Sequence, residues 1–356
     1  MTFLTIANRA VGAGRPPYVI AEMSGNHNGR IEHAFAIMAS AKRAEADAVK
    51  LQTYTADTIT IDHDGPGFRI KGGLWDGRSL HELYQEAHTP WEWHAELFAK
   101  GRELGITVFS SPFDPTAVEL LERLNAPAYK IASFEIVDLP LIRLVASTGK
   151  PMIMSTGMAT LSEIEEGVAA ARDGGCKELA LLHCISGYPT PAEEANLATI
   201  PDLTRRFDCP IGLSDHTLGT SVAVAATALG ARLVEKHLTL ARSDGGPDAA
   251  FSLEPEELAQ LVQAVRAASA AIGRASYELK PSERENTVFR RSLYVVADMR
   301  QGEAFTPANV RSIRPGFGLA PKHLPAVIGR RAARSLARGT PLDPSMVEGG
   351  LLIRNR

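Results

Sequence analysis

A (β/α)8 TIM barrel followed by a small, mostly irregular or β C-terminal domain is the architecture this sequence predicts. Two observations carry the barrel and one the appended domain. Short apolar runs alternate with helix-like stretches through about the first 240 residues. There are eight such units, which matches the size of a closed barrel. After about Arg274 the alternation stops and a charged segment leads into strand-like pieces separated by Gly and Pro. Strands alternating with helices call for a parallel sheet, because parallel neighbours need crossover connections. A doubly wound open sheet is the rival arrangement.

The apolar runs are YVIAEM from Tyr18, AVKLQTY from Ala48, TVFSSP from Thr107 and AYKIAS from Ala128, then PMIMSTG from Pro151, ELALLHC from Glu178, PIGLSDH from Pro210 and ARLVEKHL from Ala231. Between them, IEHAFAIMASAKRAEA from Ile31 repeats its apolar residues at the helical period. PWEWHAELFAKGRELG, TAVELLERLN, LSEIEEGVAAARDGG and SVAVAATALG read the same way. Pro90, Asp114 before Pro115, and Ser162 are candidate first-turn residues. Gly105, Gly174 and Gly230 are candidate helix stops. The segment from Asp57 to Thr89 exceeds the usual connection of about 4–6 residues. It reads as an insertion folded over the barrel mouth, with a small hairpin around Gly65 to Gly73 and a lid or substrate-contacting role. Residues 1–274 are thus expected to form the barrel domain, 275–289 a linker and 290–356 the small domain. Roughly 60 residues fold alone only marginally, so docking on the barrel or on a second subunit is expected.

Composition removes several function classes. The chain has 356 residues, 45% hydrophobic and 22% charged, which is ordinary globular composition. A formal net charge of −3 is no nucleic-acid footprint. No apolar run reaches the roughly 18 residues of a membrane span, and the first residues lack a signal-peptide pattern. The three cysteines, Cys176, Cys184 and Cys209, make no disulfide framework, which points to a reducing cytoplasm.

The polar residues fall where barrel chemistry sits, at the C-terminal ends of the strands. The runs end in Glu22, Lys50 with Gln52, Ser110 and Ser111, Lys130 with Ser133, Ser155, His183, Asp215 with His216, and Lys236 with His237. Buried charge is costly unless paired, so eight such ends are hard to ascribe to packing. His216 and His237 end the seventh and eighth strands, neighbours in a closed barrel. Two imidazoles with carboxylate and water suit Mn, Fe or Zn in an open, catalytic site. Asp215 and Glu22 are carboxylate candidates beside them, and His183 with Cys184 is a weaker ligand pair. Two hydrogen-bonded core histidines are the bland alternative. Lys50, Lys130 and Lys236, with Ser111, Ser133, Ser155 and Ser214, suit a phosphate with an adjacent carboxylate. Pairing of each lysine with a carboxylate is credible for Lys236 and poor for all three. No nucleotide P-loop is present. With carboxylates such as Glu22 and Glu135, these groups fit carbon–carbon bond chemistry on phosphorylated or carbonyl substrates. A metal-dependent hydrolase would use similar residues, and a non-catalytic binding protein is the third possibility.

The ordered set VIAEMSGNHNG, AVKLQTY, FSSPFD, YKIASFEI, STGM, HCISGYPTP, IGLSDHT, VEKHLTL and GPD resembles the sialic acid synthase family over the whole barrel. The tail RRSLYVVADMRQGEAFTPANVRSIRPGFGL resembles that family's antifreeze-like (SAF) β-clip domain. LQTYTADTITID, GLWDGRSLHELYQEAHTPWEWH and KIASFEIVDLPLI look most like the pseudaminate branch, ahead of the neuraminate and legionaminate branches. The resemblance implies condensation of phosphoenolpyruvate with the open-chain aldehyde of an amino sugar, giving a nonulosonic acid and phosphate. For the pseudaminate branch the sugar is 2,4-diacetamido-2,4,6-trideoxy-L-altrose. It implies a divalent metal, usually Mn2+, on His216 and His237. It implies a phosphoenolpyruvate pocket of Lys50, Lys130, Ser111, Ser133, Ser155 and Ser214. Glu22, Gln52, Tyr188 and Asp248 would lie near sugar and metal, and Glu135 would be an acid/base. Arg314 would reach the sugar of the partner subunit in a domain-swapped homodimer. Read on their own, Tyr188 could pack a loop and Arg314 could form a surface ion pair. Cys184 reads as core, Arg290 and Arg291 as docking the linker, and Trp75, Trp91 and Trp93 as packing rather than sugar stacking.

Overall fold

The computed structural model describes residues 3–351, which fall into two compact units divided after Gly273. The first unit opens with an element the sequence reading did not single out. Strands β1 (Phe3–Ile6) and β2 (Arg9–Gly12) form an antiparallel hairpin. Its turn places Ala7 and Asn8 at positive φ.

Eight parallel strands then close into a barrel: β3 (Tyr18–Glu22), β4 (Ala48–Thr53), β5 (Thr107–Pro112), β6 (Tyr129–Ile131), β7 (Met152–Ser155), β8 (Leu179–Cys184), β9 (Ile211–Asp215) and β10 (Leu233–His237). β10 pairs with β3, with His237 opposite Glu22, so the sheet has no free edge. The doubly wound alternative is thereby set aside. Each of the eight apolar runs supplies one strand.

Helices α1 (Ile31–Arg43), α2 (Ala56–Ile59) and α3 (Leu80–Ala87), the last two within the long connection after β4, precede α4 (His94–Leu104), α5 (Pro115–Arg123), α6 (Leu139–Ser147), α7 (Leu161–Asp173), α8 (Thr199–Arg206), α9 (Ser221–Ala228) and α10 (Pro255–Ile272); all but α2 and α3 make the outer layer. The helix-like stretches expected from the sequence became α1, α4, α5, α7 and α9; α2, α3, α6, α8 and α10 were not singled out. Asp114 caps α5, its carboxylate accepting from the Thr116 and Ala117 amides. Ser162 does not start α7: Thr160 does, in a capping box with Glu163. Gly105 ends α4 in the left-handed region, but after α7 that conformation falls on Gly175 rather than Gly174.

Two apolar cores follow from strand alternation, because successive side chains face opposite sides. Outward residues such as Val49, Leu51, Tyr129 and Met154 pack beneath the helices. Inward residues Tyr18, Ile20, Ala48, Phe109, Ile153, Ala180, Leu182 and Leu233 fill the barrel. Leu4, Ile6 and Val11 of the N-terminal hairpin join that inner cluster and stopper the barrel at the end opposite the mouth.

The insertion does contain a hairpin, displaced from the expected position. Backbone bonds link Ile70 with Arg78 and Phe68 with Leu80, leaving 71–77 as its tip. In the second unit, residues 281–289 form two short 3-10 turns. Strands β11 (Ser292–Val295) and β12 (Val310–Ile313) pair antiparallel around a core including Leu293, Phe305, Val327 and Leu336. Arg291 donates to the Ser312 carbonyl at 3.0 Å, serving its own unit's fold. Among the described residues no helix is long and apolar enough to cross a membrane.

Candidate active site

Two residues beyond the inner apolar layer, each strand places one more inward side chain. Those side chains are Glu22, Lys50, Ser111, Lys130, Ser155, Cys184, Ser214 and Glu235, and all are buried. His237 and Gln52 continue the same faces toward the mouth. Lys50 Nζ lies 3.0 Å from Glu22 and 3.3 Å from Glu235. Lys130 Nζ lies 3.1 Å from the same Glu235 oxygen, to which Ser214 also donates at 3.2 Å. Gln52 donates to Glu22 at 2.8 Å, and Lys50 reaches Ser111 at 3.4 Å. Glu235, not singled out from the sequence, is the hub. Only its inward register marked it, since it alternates with the inward His237.

The expectation that paired lysines would be a poor account is corrected: all three have carboxylate partners. A buried ammonium without a counter-ion would cost several kcal/mol. The pairing still leaves binding capacity. Two lysines share one Glu235 oxygen, while its other oxygen and the Ser155 hydroxyl have no hydrogen-bond partner. Burial pushes Glu22 up to about 7, against Lys50 and with Glu235. Burial also raises Glu235, but Lys130 and Lys50 outweigh it and hold it down at about 2. Two ammonium groups thus face one firm carboxylate and one that readily takes a proton, a balance that favours an incoming anion.

Alternation removes four expected residues from the mouth. Ser110 faces out and pairs with Thr53 at 2.6 Å. His183 faces out, bonded to the Ala195 carbonyl at 2.8 Å, so it adds no ligand. Lys236 and Asp215 face out together, 2.8 Å apart and buried. Lys236 also donates to the Thr217 carbonyl at 2.5 Å. Neither belongs to the anion pocket or the histidine site.

His216, just past β9, and His237 face each other with ring centroids 5.3 Å apart. His216 Nδ1 is 3.0 Å from the Ile185 carbonyl, which fixes the ring and leaves Nε2 free. Cys184 Sγ stands 3.8 Å from the same nitrogen. Burial lowers His216 but Cys184 and the carbonyl outweigh it; His237 is driven well down by burial and by the neighbouring His216 and Lys50. Nδ1 of His237 has no hydrogen-bond partner and lies 3.7 Å from Asp248. Ser24 bonds that carboxylate, and Asn26 donates to Leu238 O and Ser252, so the GNHNG turn clasps the segment after β10. Among the described residues no three His, Cys, Asp or Glu side chains gather so that they could hold a metal ion between them. The two imidazoles are donors that an open site would use, with its remaining positions left to water or substrate.

Ser133 and Glu135 occupy a 3-10 turn after β6. Burial raises Glu135 to about 7, and one of its oxygens lacks a partner. The Gly157 amide donates to Ser133 Oγ at 3.2 Å. A Cβ on Gly157 would stand 2.3 Å from Ser186 Oγ, so a side chain there would fill the cradle. Ser186 is a second residue the sequence reading missed; its buried hydroxyl stands beside the Tyr188 phenol. Tyr188 lies 4.4 Å from His216 and 5.3 Å from Phe251, ring to ring. Trp75, expected only to pack, sits 5.7 Å from Tyr188. Trp93 does pack, edge-on against His27. Arg314 belongs to the second unit, where it stands exposed after β12.

This arrangement has known counterparts. Residues 37–277 match the NeuB family and 290–348 the SAF domain. A pseudaminic acid synthase from Helicobacter pylori is 43% identical over 95% of this chain and 99% of its own. An N,N'-diacetyllegionaminic acid synthase from Legionella pneumophila is 34% identical over 93% of this chain and 94% of its own. The crystal structure of an N-acetylneuraminic acid (sialic acid) synthetase from Leptospira borgpetersenii superposes with a TM-score of 0.72 at 31% identity, covering 80% of this chain and 95% of that one. This chain is an enzyme of the NeuB family.

Proposed function

We propose that the chain condenses phosphoenolpyruvate with 2,4-diacetamido-2,4,6-trideoxy-L-altrose and water to give pseudaminic acid and phosphate. The observation that carries this reading is the 43% identity to the Helicobacter pylori pseudaminic acid synthase, against 34% for the Legionella pneumophila legionaminic acid synthase over similar length. The barrel mouth offers the chemistry the reaction needs. Lys50 and Lys130 hold the phosphate, exchanging part of their pairing with Glu235 for the incoming anion. Ser155 has a free hydroxyl for its oxygens, and Ser111, Ser133, Ser186 and Ser214 border the same space. A divalent ion on His216 and His237, taken as Mn2+, would polarise the acceptor aldehyde. Glu135 and Glu22, both poised near neutrality, can hold or release a proton where the enol carbon attacks, where water adds, and where the C–O bond to phosphate breaks. Gln52, Tyr188 and Asp248 flank the acceptor.

The same reading extends to a homodimer in which Arg314 of one subunit serves the sugar bound by the other. It also places the enzyme in the cytoplasm, in keeping with three buried free thiols. The test is phosphate release from phosphoenolpyruvate with Mn2+. Release with the diacetamido-altrose and not with N-acetylmannosamine is expected; preference for N-acetylmannosamine would overturn the branch, and release with neither would overturn the synthase reading.

A further inference from the structure

The tip of the insertion hairpin brings one aromatic side chain to the mouth of the barrel. Gly72, Gly73 and Gly77 all adopt positive φ there, a backbone that other residues would make only with strain. Trp75, half-buried, is carried between them. Its indole N–H donates to the Pro247 carbonyl at 2.9 Å, one residue before Asp248. Its ring lies 5.7 Å from Tyr188, which in turn lies 4.4 Å from His216. The indole is therefore fixed at two points, and its single donor is spent on protein. What it can still present to a ligand is carbon: the ring face and edge.

Resting on the synthase reading, we infer that Trp75 forms the outer wall of the acceptor subsite and selects a sugar whose far end is a methyl rather than a hydroxymethyl. With the aldehyde held at His216 and His237, an open-chain six-carbon sugar runs across Tyr188 toward Trp75. A C6 methyl there meets an apolar surface. A C6 hydroxyl meets a wall with no free donor or acceptor and leaves its hydrogen bonds unmade. One group of this size in an apolar pocket discriminates by roughly 10–200-fold. The insertion that carries Trp75 would then set sugar choice, while the barrel strands carry the chemistry common to any acceptor.

The experiment compares kcat/KM for the diacetamido-trideoxy-altrose and for its otherwise identical 6-hydroxy analogue, in wild type, W75A and W75F. Wild type should favour the 6-deoxy sugar by roughly 10–200-fold. W75A should lose most of that ratio through a higher KM for the 6-deoxy sugar, with the KM for phosphoenolpyruvate within about twofold of wild type, because the anion pocket lies on other elements. W75F should fall between, and serves alone if W75A does not fold. A preserved ratio in W75A, or parallel rises in both KM values, would overturn the inference, since a residue that merely braces Tyr188 would not separate the sugars. A wild type that turns over both sugars equally would overturn it while leaving the synthase reading intact. Turnover of neither would overturn the synthase reading, and the inference with it.

Discussion

Lys236 and Lys130 are both buried lysines on barrel strands, yet they face opposite ways, and this predicts opposite consequences of removing them. K236M deletes an ammonium whose side chain is 0% exposed, 2.8 Å from an Asp215 carboxylate that is 1% exposed. Breaking such a pair from one side costs about 3–5 kcal/mol, because the remaining carboxylate stays buried and uncompensated. Asp215 keeps two bonds, from the Thr217 amide at 2.9 Å and its hydroxyl at 2.8 Å. Those bonds place the expected loss at the lower end, about 3 kcal/mol. The double variant K236M/D215L removes both charges and should recover a large part of that loss, giving a coupling energy of at least about 1 kcal/mol. The assay is urea unfolding followed by circular dichroism, with KM for phosphoenolpyruvate measured on the folded protein. A K236M variant of unchanged urea midpoint, or one that raises KM for phosphoenolpyruvate while staying stable, would refute the placement of Lys236 behind the strand.

Lys130→Ala leaves Glu235 its second partner, Lys50, at 3.3 Å, and should raise KM for phosphoenolpyruvate by at least about tenfold, the scale of a lost charge-assisted contact; titration of the anion requirement checks it, and an unchanged KM removes Lys130 from the pocket. His237→Ala should abolish turnover and weaken Mn2+ binding by calorimetry while the circular dichroism spectrum stays native; full activity at low metal would refute the ligand assignment. Glu135 is raised to about 7 by burial, so its folded form binds its proton more tightly than the unfolded chain does. Its contribution to stability is therefore full at low pH and is lost as pH rises through about 7. E135Q should accordingly be more stable than wild type above pH 7 and match it near pH 4; urea midpoints across that range check the sign, and a difference that grows toward acid would contradict it.

Much of this protein is written locally. Eight apolar runs, helices between them and Gly at their stops determine a closed barrel, since each feature acts within a few residues and parallel strands leave few ways to connect. The position of polar residues at strand ends likewise marks the mouth. Linear position alone does not say which way a side chain points when neighbouring residues are both polar. Ser110 beside Ser111, His183 beside Cys184, and Lys236 between Glu235 and His237 all sit at strand ends. Only the register of the closed sheet decides that Ser111, Cys184, Glu235 and His237 face the site while Ser110, His183 and Lys236 support the wall. The hub role of Glu235 arises the same way, from strands far apart in the chain. The placement of Trp75 on Tyr188 is also a long-range outcome, across more than a hundred residues of sequence. Periodicity and turn chemistry are short-range and legible in a single chain. Side-chain direction, charge pairing and the meeting of remote loops depend on closure of the barrel, and there the tertiary structure decides.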